Sequence, residues 1–230
     1  MKIVGLITEY NPFHNGHRYH IEEAKKVTSA DAAVVIMSGD YVQRGIPAIM
    51  PKRLRAEMAL KCGASAVFEL PVCYATGSAE LFAYGAVSFL NSLNIVDCLC
   101  FGSECDDLNS LIRIAHILSE EPPAYRQALQ ASLKRGNSFP AARQEALFSY
   151  TGLQKEASLL NDPNNILGIE SVSYTHLDVY KRQDLRSRLI SHAPFLSHDT
   201  AFLFALLLSL SLHLSYANDY HSVRHLYVLY

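Results

Sequence analysis

Residues 9–20 read EYNPFHNGHRYH, a dozen positions that hold three histidines, two asparagines and one glycine. The stretch follows an apolar run, KIVGLIT (2–8), and precedes IEEAKKV (21–27), which reads as a helix. A strand that ends in a loop and feeds a helix presents that helix's unpaired N–H groups at the carboxyl edge of its sheet, where phosphate is attracted. Gly16 lets the backbone approach a ligand closely. His14 and His17 lie three apart on the first turn and point the same way. Two imidazoles so placed can donate hydrogen bonds to phosphate oxygens. Displacement at an α-phosphate loads negative charge onto the transferred group and the departing pyrophosphate, and preorganised donors answer that charge without a covalent nucleophile. H-x-G-H therefore suits nucleotidyl transfer from a nucleoside triphosphate. The competing interpretation is a cap or core histidine, since four-residue patterns recur by chance. The position directly after a first apolar strand favours the chemistry for His14 and His17. His20, three residues further on, fits helix packing better.

Working outward, strand and helix signals alternate over the first 120 residues. AAVVIMSG (32–39), SAVFELP (65–71) and VDCLCFGSE (96–104) read as three more buried strands. PKRLRAEMALKCG (51–63) reads as a helix, with Pro at its start, Gly63 as its stop, and Leu54, Met58 and Leu60 as its core face. GSAELFAYGAVSFLNSL (77–93) is a long apolar helix. This alternation predicts an α/β fold, with a parallel sheet and helices on both faces. From Leu108 to about Leu160 the pattern turns helical. The expected organisation is an α/β domain over residues 1–120 and a helical extension over 121–170.

Composition narrows the classes. The chain has 230 residues, 50% hydrophobic and 18% charged, with a formal net charge of −2. No global basic field argues for nucleic acid, although a local patch could. Five cysteines, at 62, 73, 98, 100 and 105, lack framework spacing; Cys98, Cys100 and Cys105, close together, read as reduced, mostly buried thiols in preference to metal ligands. The N-terminus carries no signal-peptide pattern, so a cytoplasmic protein is expected.

The character changes after Glu170. Through Tyr230 there is no Gly and no Glu, and six of the ten histidines fall there. FLFALLLSLSLHLSY (202–216) is a Leu/Ser run too short and interrupted for a membrane span, which needs about 20 apolar residues. VSYTHLDVYKRQ (172–183) resembles one reading frame of a transposon end used in sequencing-library preparation. Residues 171–230 are accordingly expected to be an assembly artefact or an out-of-frame segment and not a native domain.

Six segments share one resemblance: GLITEYNPFHNGHRYH (5–20), MSGDYVQRGIPA (37–48), LPVCYATGSAELFAYGAV (70–87), CFGSE (100–104), GNSFPAAR (136–143) and PNNILGIE (163–170). Together, over residues 1–170, they resemble the bacterial tRNA(Met) cytidine acetate ligases of the HIGH-type nucleotidyltransferase superfamily. The resemblance implies a Rossmann-like nucleotidyltransferase domain followed by helices, with the C-terminal part of the family missing. It implies activation of acetate with ATP to give acetyl-adenylate, then acetylation of the wobble cytidine of elongator tRNA(Met). The ATP site would be lined by Ile7, Thr8, Glu9, Tyr10, Asn11, Pro12, Phe13, His14, Asn15, Gly16, His17, Arg18, Tyr19 and His20, with Gly102 and either Asn164 or Asn165 completing it. ATP would arrive with Mg²⁺, and no protein metal cage is expected. The alternatives are a nucleotidyltransferase for another small acceptor and a non-catalytic ATP- or RNA-binding module.

Three further groups bear on function. Arg44, Lys52, Arg53 and Arg55 could form a phosphate-binding surface or a solvated helix face. Asp40 and Gln43, at the same sheet edge, could orient acetate, water or Mg²⁺. Lys134, Arg135 and Arg143, around GNSFP, read slightly better as solubilising than as RNA contacts.

Overall fold

A computed structural model describes residues 1–105, 107–176 and 225–229 of the chain. Its first strand, β1 (Ile3–Thr8), is buried at every position, as its unbroken apolar sequence requires. It pairs in parallel with β2 (Ala32–Ser38), from Ile3 opposite Ala32 to Thr8 opposite Met37. On its other edge it pairs with β4 (Cys98–Gly102), Val4 opposite Cys98. β3 (Ala66–Leu70) flanks β2, and a short β5 (His225–Leu229) flanks β4, giving the parallel order β3-β2-β1-β4-β5.

Alternation along the strands sends side chains to two cores, as a pleated strand with period two must. Val4 and Leu6, with Val35, Met37, Cys98 and Cys100, join Ile21 and Ala24 of α1 (Asn15–Thr28) and Ala59 of α2 (Lys52–Lys61). Ile3 and Ile7, with Val34, Ile36 and Leu99, join Phe82, Ala86 and Leu90 of α4 (Ala79–Leu93). A one-turn helix, α3 (Val72–Ala75), leads into α4, whose N-terminus is capped by the Ser78 hydroxyl accepting from the Leu81 N–H at 3.3 Å. Helices thus cover both faces, as the βα alternation requires. Cys98, Cys100 and Cys105 are buried free thiols, and burial pushes the Cys100 thiol up to about 12.

One expected face is wrong. Leu54, Met58 and Leu60 suggest the core side of α2, but Leu54 and Leu60 are exposed and Met58 is half-buried. The buried residues are Arg55 and Ala59. Hydrophobicity alone mis-sets the helix because Arg55 finds carbonyl partners below it, and Ala59 allows close approach to the sheet.

Beyond β4 come α5 (Leu108–Glu120), α6 (Pro123–Lys134), α7 (Phe139–Thr151), α8 (Gln154–Ser158) and α9 (Pro163–His176). Phe101, Leu111, Ile114, Tyr125, Leu129, Ala146 and Leu147 form their common core. Helix α9 ties this core to the sheet: Val172 lies in the helical core and Tyr174 in the core under α4. The composition break after Glu170 therefore falls inside a helix that continues to His176. Most of 171–230, including the Leu/Ser run and Leu177 to Gln183, lies outside the described residues. Among the described residues no helix is long and apolar enough to cross a membrane.

The contact of α9 with β4 is tight. A Cβ on Gly168 would lie 2.4 Å from the ring of Phe101, itself 5% exposed. Gly168→Ala should lower unfolding free energy by about 1–2 kcal/mol, because overpacking a buried ring outweighs the gain in helix propensity. Urea denaturation checks this as a lower midpoint at unchanged slope.

Candidate functional site

Helix α1 opens on His14, whose extended backbone (φ −144°, ψ 175°) makes it the N-cap. Its Nδ1 accepts the Gly16 N–H at 3.1 Å, while His17 Nδ1 accepts the His14 N–H at 3.2 Å. This is a capping box built from two imidazoles, in which each satisfies a backbone donor the helix leaves unpaired. With both Nδ1 lone pairs engaged, the protons of the neutral rings sit on Nε2. The rings stack with centroids 3.7 Å apart. Tyr10 and Phe13 pack against His17 at 4.8 and 5.6 Å. Gly16 is needed here, since a Cβ would come within 3.0 Å of His14 Cε1. Burial, then the neighbouring His14 and His20, lower the His17 pKa to about 4. His17 is therefore neutral at pH 7. The first turn of α1 holds no acidic side chain to offset the helix's positive end.

The strand order sets the site's place. Beyond β1 the sheet runs to β2 and β3 on one side and to β4 on the other, so the crevice between β1 and β4 is the topological switch point, where open α/β sheets bind ligands. The His14–His17 turn follows β1, and Gly102 ends β4. A Cβ on Gly102 would meet nothing within 4 Å. The turn after it is braced from α9. Asn165, fully buried, accepts from Ser103 Oγ at 2.5 Å and the Glu104 N–H at 3.0 Å, and donates to Asp162 at 3.2 Å. Asn164, exposed beside it, donates to Glu104 at 2.7 Å.

The loop after β2 forms the far wall. Gln43 donates its N–H to Glu9 Oε1 at 2.8 Å, and Ile49 donates its N–H to Asn11 Oδ1 at 2.7 Å. Asp40 accepts the Lys52 N–H at 3.0 Å, and Lys52 Nζ pairs with Glu69 at 2.8 Å.

The residues expected in one site divide accordingly. Pro12, His14, Asn15, Gly16, Arg18 and Tyr19 are exposed on the turn, and Asn11, Phe13 and His17 are half-buried. The side chains of Ile7 and Tyr10 pack in the cores and Thr8 is buried, which leaves chiefly their backbones for a ligand. His20 has a buried Nε2 without a hydrogen-bond partner among the described residues, and burial lowers its pKa to about 4. Arg18 is held by Glu22 at 2.8 Å.

The basic set does not form one surface. Arg44 and Arg53 are exposed, Lys52 is paired, and Arg55 is fully buried. Arg143 forms a buried pair with Glu170 at 2.8 Å, and Arg135 pairs with Glu145. The Arg143 pair is buried, whereas the Arg135 pair is exposed to solvent. The bracing roles of Glu9, Asn11 and Asn165 have no composition signal. Arg55 had one, a cation four residues before a small residue on a helix whose leucines face out.

Comparison with known proteins fits this geometry. The family model for HIGH Nucleotidyl Transferase matches residues 1–184. The chain belongs to that family. A tRNA(Met) cytidine acetate ligase of Caldanaerobacter subterraneus subsp. tengcongensis is 55% identical over 170 residues, covering 74% of this chain and 42% of its own. One of Acetivibrio thermocellus is 53% identical over 171 residues, with 74% and 41% covered. A crystal structure of Thermotoga maritima TmcAL bound with alpha-thio ATP superposes with a TM-score of 0.71 at 45% identity, covering 75% of this chain and 43% of that one. The chain thus spans less than half the length of the relatives it matches.

In this HIGH-family site the histidines carry a pH signature. The folded pKa of His17 and His20, about 4, lies below the ordinary 6.5. The unfolded chain therefore binds more protons between those values, and stability is complete above 6.5 and falls as pH drops towards 4. Long-range ¹H–¹⁵N NMR should show His17 as the Nε2–H tautomer at pH 7 and still neutral at pH 5. A His17 that titrates near 6.5 would mean that the box does not hold in solution.

Proposed function

We propose that this chain carries the nucleotide-activating part of an ATP-dependent ligase that makes acetyl-adenylate and acetylates the wobble cytidine of elongator tRNA(Met). The observation that carries this is the stacked pair of Nε2–H donors, opposite an unobstructed Gly102, at the β1/β4 switch point. Relatives named tRNA(Met) cytidine acetate ligase, and a neighbour bound with alpha-thio ATP, support the substrates.

In this reading an acetate oxygen attacks the α-phosphorus and pyrophosphate leaves. His14 and His17 donate their Nε2–H groups to the phosphate oxygens as charge moves onto them, alongside the N-terminus of α1. Neutral donors locked by the backbone need no reorganisation during the step. Ile7, Thr8 and Tyr10 act through backbone groups, the turn from Glu9 to His20 surrounds the nucleotide, and Asn164, the exposed asparagine, reaches it while Asn165 braces the turn beneath. The acetyl carbon is then attacked by the exocyclic amine of cytosine, and AMP departs. Among the described residues no group of three or more acidic, His or Cys side chains could hold a metal. Asp40 and Glu9 are already engaged by backbone N–H groups. Mg²⁺ accompanying ATP would offset the phosphate charge. A protein that modifies tRNA in this way would work in the cytoplasm, where tRNA is found.

Exchange of labelled pyrophosphate into ATP should depend on acetate. His14→Ala and His17→Ala should each lower exchange about 10²–10³-fold, the effect of removing one preorganised donor, with a smaller change in ATP affinity. Exchange without acetate would assign another acceptor. Binding of ATP with no exchange by the parent would leave a binding module. Gly102→Ala should keep the parent's thermal midpoint yet weaken ATP binding, because its methyl enters space that only a ligand fills.

A further inference from the structure

We propose that Arg55 is the positioning residue of the nucleotide crevice: its guanidinium fixes the segment that leaves β1 against the loop that leaves β2. Arg55 lies on α2 and is 0% exposed. Its Nε donates to the Met50 carbonyl at 3.0 Å, Nη1 to the Glu9 carbonyl at 2.5 Å, and Nη2 to the Gly39 carbonyl. Those carbonyls belong to three separate segments. Glu9 follows the end of β1, Gly39 follows the end of β2, and Met50 closes the loop before α2.

A buried cation is costly without compensation. Among the described residues Arg55 has no carboxylate within ion-pair distance; Asp40, Glu9 and Glu69 act on it only from farther away. Burial accordingly lowers its pKa, against those carboxylates. Lys52 pairs with two of them, with Glu69 at 2.8 Å and with Asp40 at 3.8 Å. Three carbonyl dipoles remain to solvate the guanidinium, and only a planar fork addresses all three at once. Lysine could reach one or two.

The segments joined this way carry the walls of the site. Glu9 leads into Tyr10, whose ring packs on His17, and its carboxylate holds the Gln43 N–H. Gly39 leads into the loop whose Ile49 N–H bonds Asn11. Without the fork, the Glu9 and Asn11 ties would each have to hold a loop whose root is free. The geometry of His17 against that wall then loosens, although Arg55 itself touches no substrate. The part of this proposal that concerns ATP rests on the function proposed above.

The test is amide hydrogen exchange on the 230-residue chain and its Arg55→Lys and Arg55→Gln variants, with ATP affinity measured by calorimetry. Arg55→Lys should speed exchange at Gln43 and Ile49 about tenfold, as expected for losing part of a charged hydrogen-bond set, while α5 to α7 keep the parent's rates. ATP affinity should fall in parallel, and guanidinium added to Arg55→Gln should restore slow exchange at the same two amides. Unchanged exchange at Gln43 and Ile49 overturns the proposal. So does exchange that rises evenly along the chain, or failure of both variants to fold, since either marks a general packing role. Faster local exchange with unaltered ATP affinity also overturns it. If the parent binds no ATP while the two amides still respond locally, the function proposed above falls and the positioning of the two loops by Arg55 stands.

Discussion

Everything at the carboxyl edge hangs from β1. It is paired with β2 as far as Thr8 and with β4 at Val4 and Gly5, and it is buried at every position. A residue in such a strand cannot shift register without moving its apolar set to the wrong core. The turn that follows inherits that rigidity, and α1 starts from it with two imidazoles already locked by its own first N–H groups. The helix would need caps in any protein. Here the caps are the candidate chemical groups, so one set of hydrogen bonds both stabilises α1 and orients the donors.

That economy has an electrostatic side. A charged imidazole at a helix N-terminus would oppose the helix dipole. Partial burial beside Tyr10 and Phe13, then the neighbouring His14 and His20, push the same way, so His17 stays neutral. A neutral donor pair attracts an anion less from a distance than cations would, but its directional N–H bonds favour the geometry in which charge is displaced. The long-range attraction is left to the end of α1 and to Arg44 and Arg53, which are exposed.

Four strands of the sheet were legible because they are short apolar runs bounded by turn residues; β5, HLYVL (225–229), was not read from the sequence. The histidine pair was legible because H-x-G-H sits on the one junction where a strand's end and a helix's start coincide. α2 was misread on its leucines: amphipathic counting assumes that water is the only good partner for a guanidinium, and backbone carbonyls at the sheet's end are another. Adjacent identical residues, Asn164 and Asn165, look alike in sequence, yet only Asn165 is buried, bonded to Ser103, Glu104 and Asp162. The inward side chains of Ile7 and Tyr10 follow from strand alternation and from the packing of the turn, which a list of lining positions does not encode.

Asn165 and the turn it holds are 62 residues apart in sequence. A chain made from its N-terminus has all of β1 to β4, and the whole H-x-G-H turn, well before that asparagine emerges. The sheet can collapse early on short loops, whereas closing a loop of this length is entropically dearer and waits for α9. During synthesis the crevice is therefore half-built for a period, with its histidine wall set and its glycine wall loose. Competence to grip a nucleotide is the last thing this region acquires, and a nascent chain is spared from engaging ligand before the helices that steady it exist.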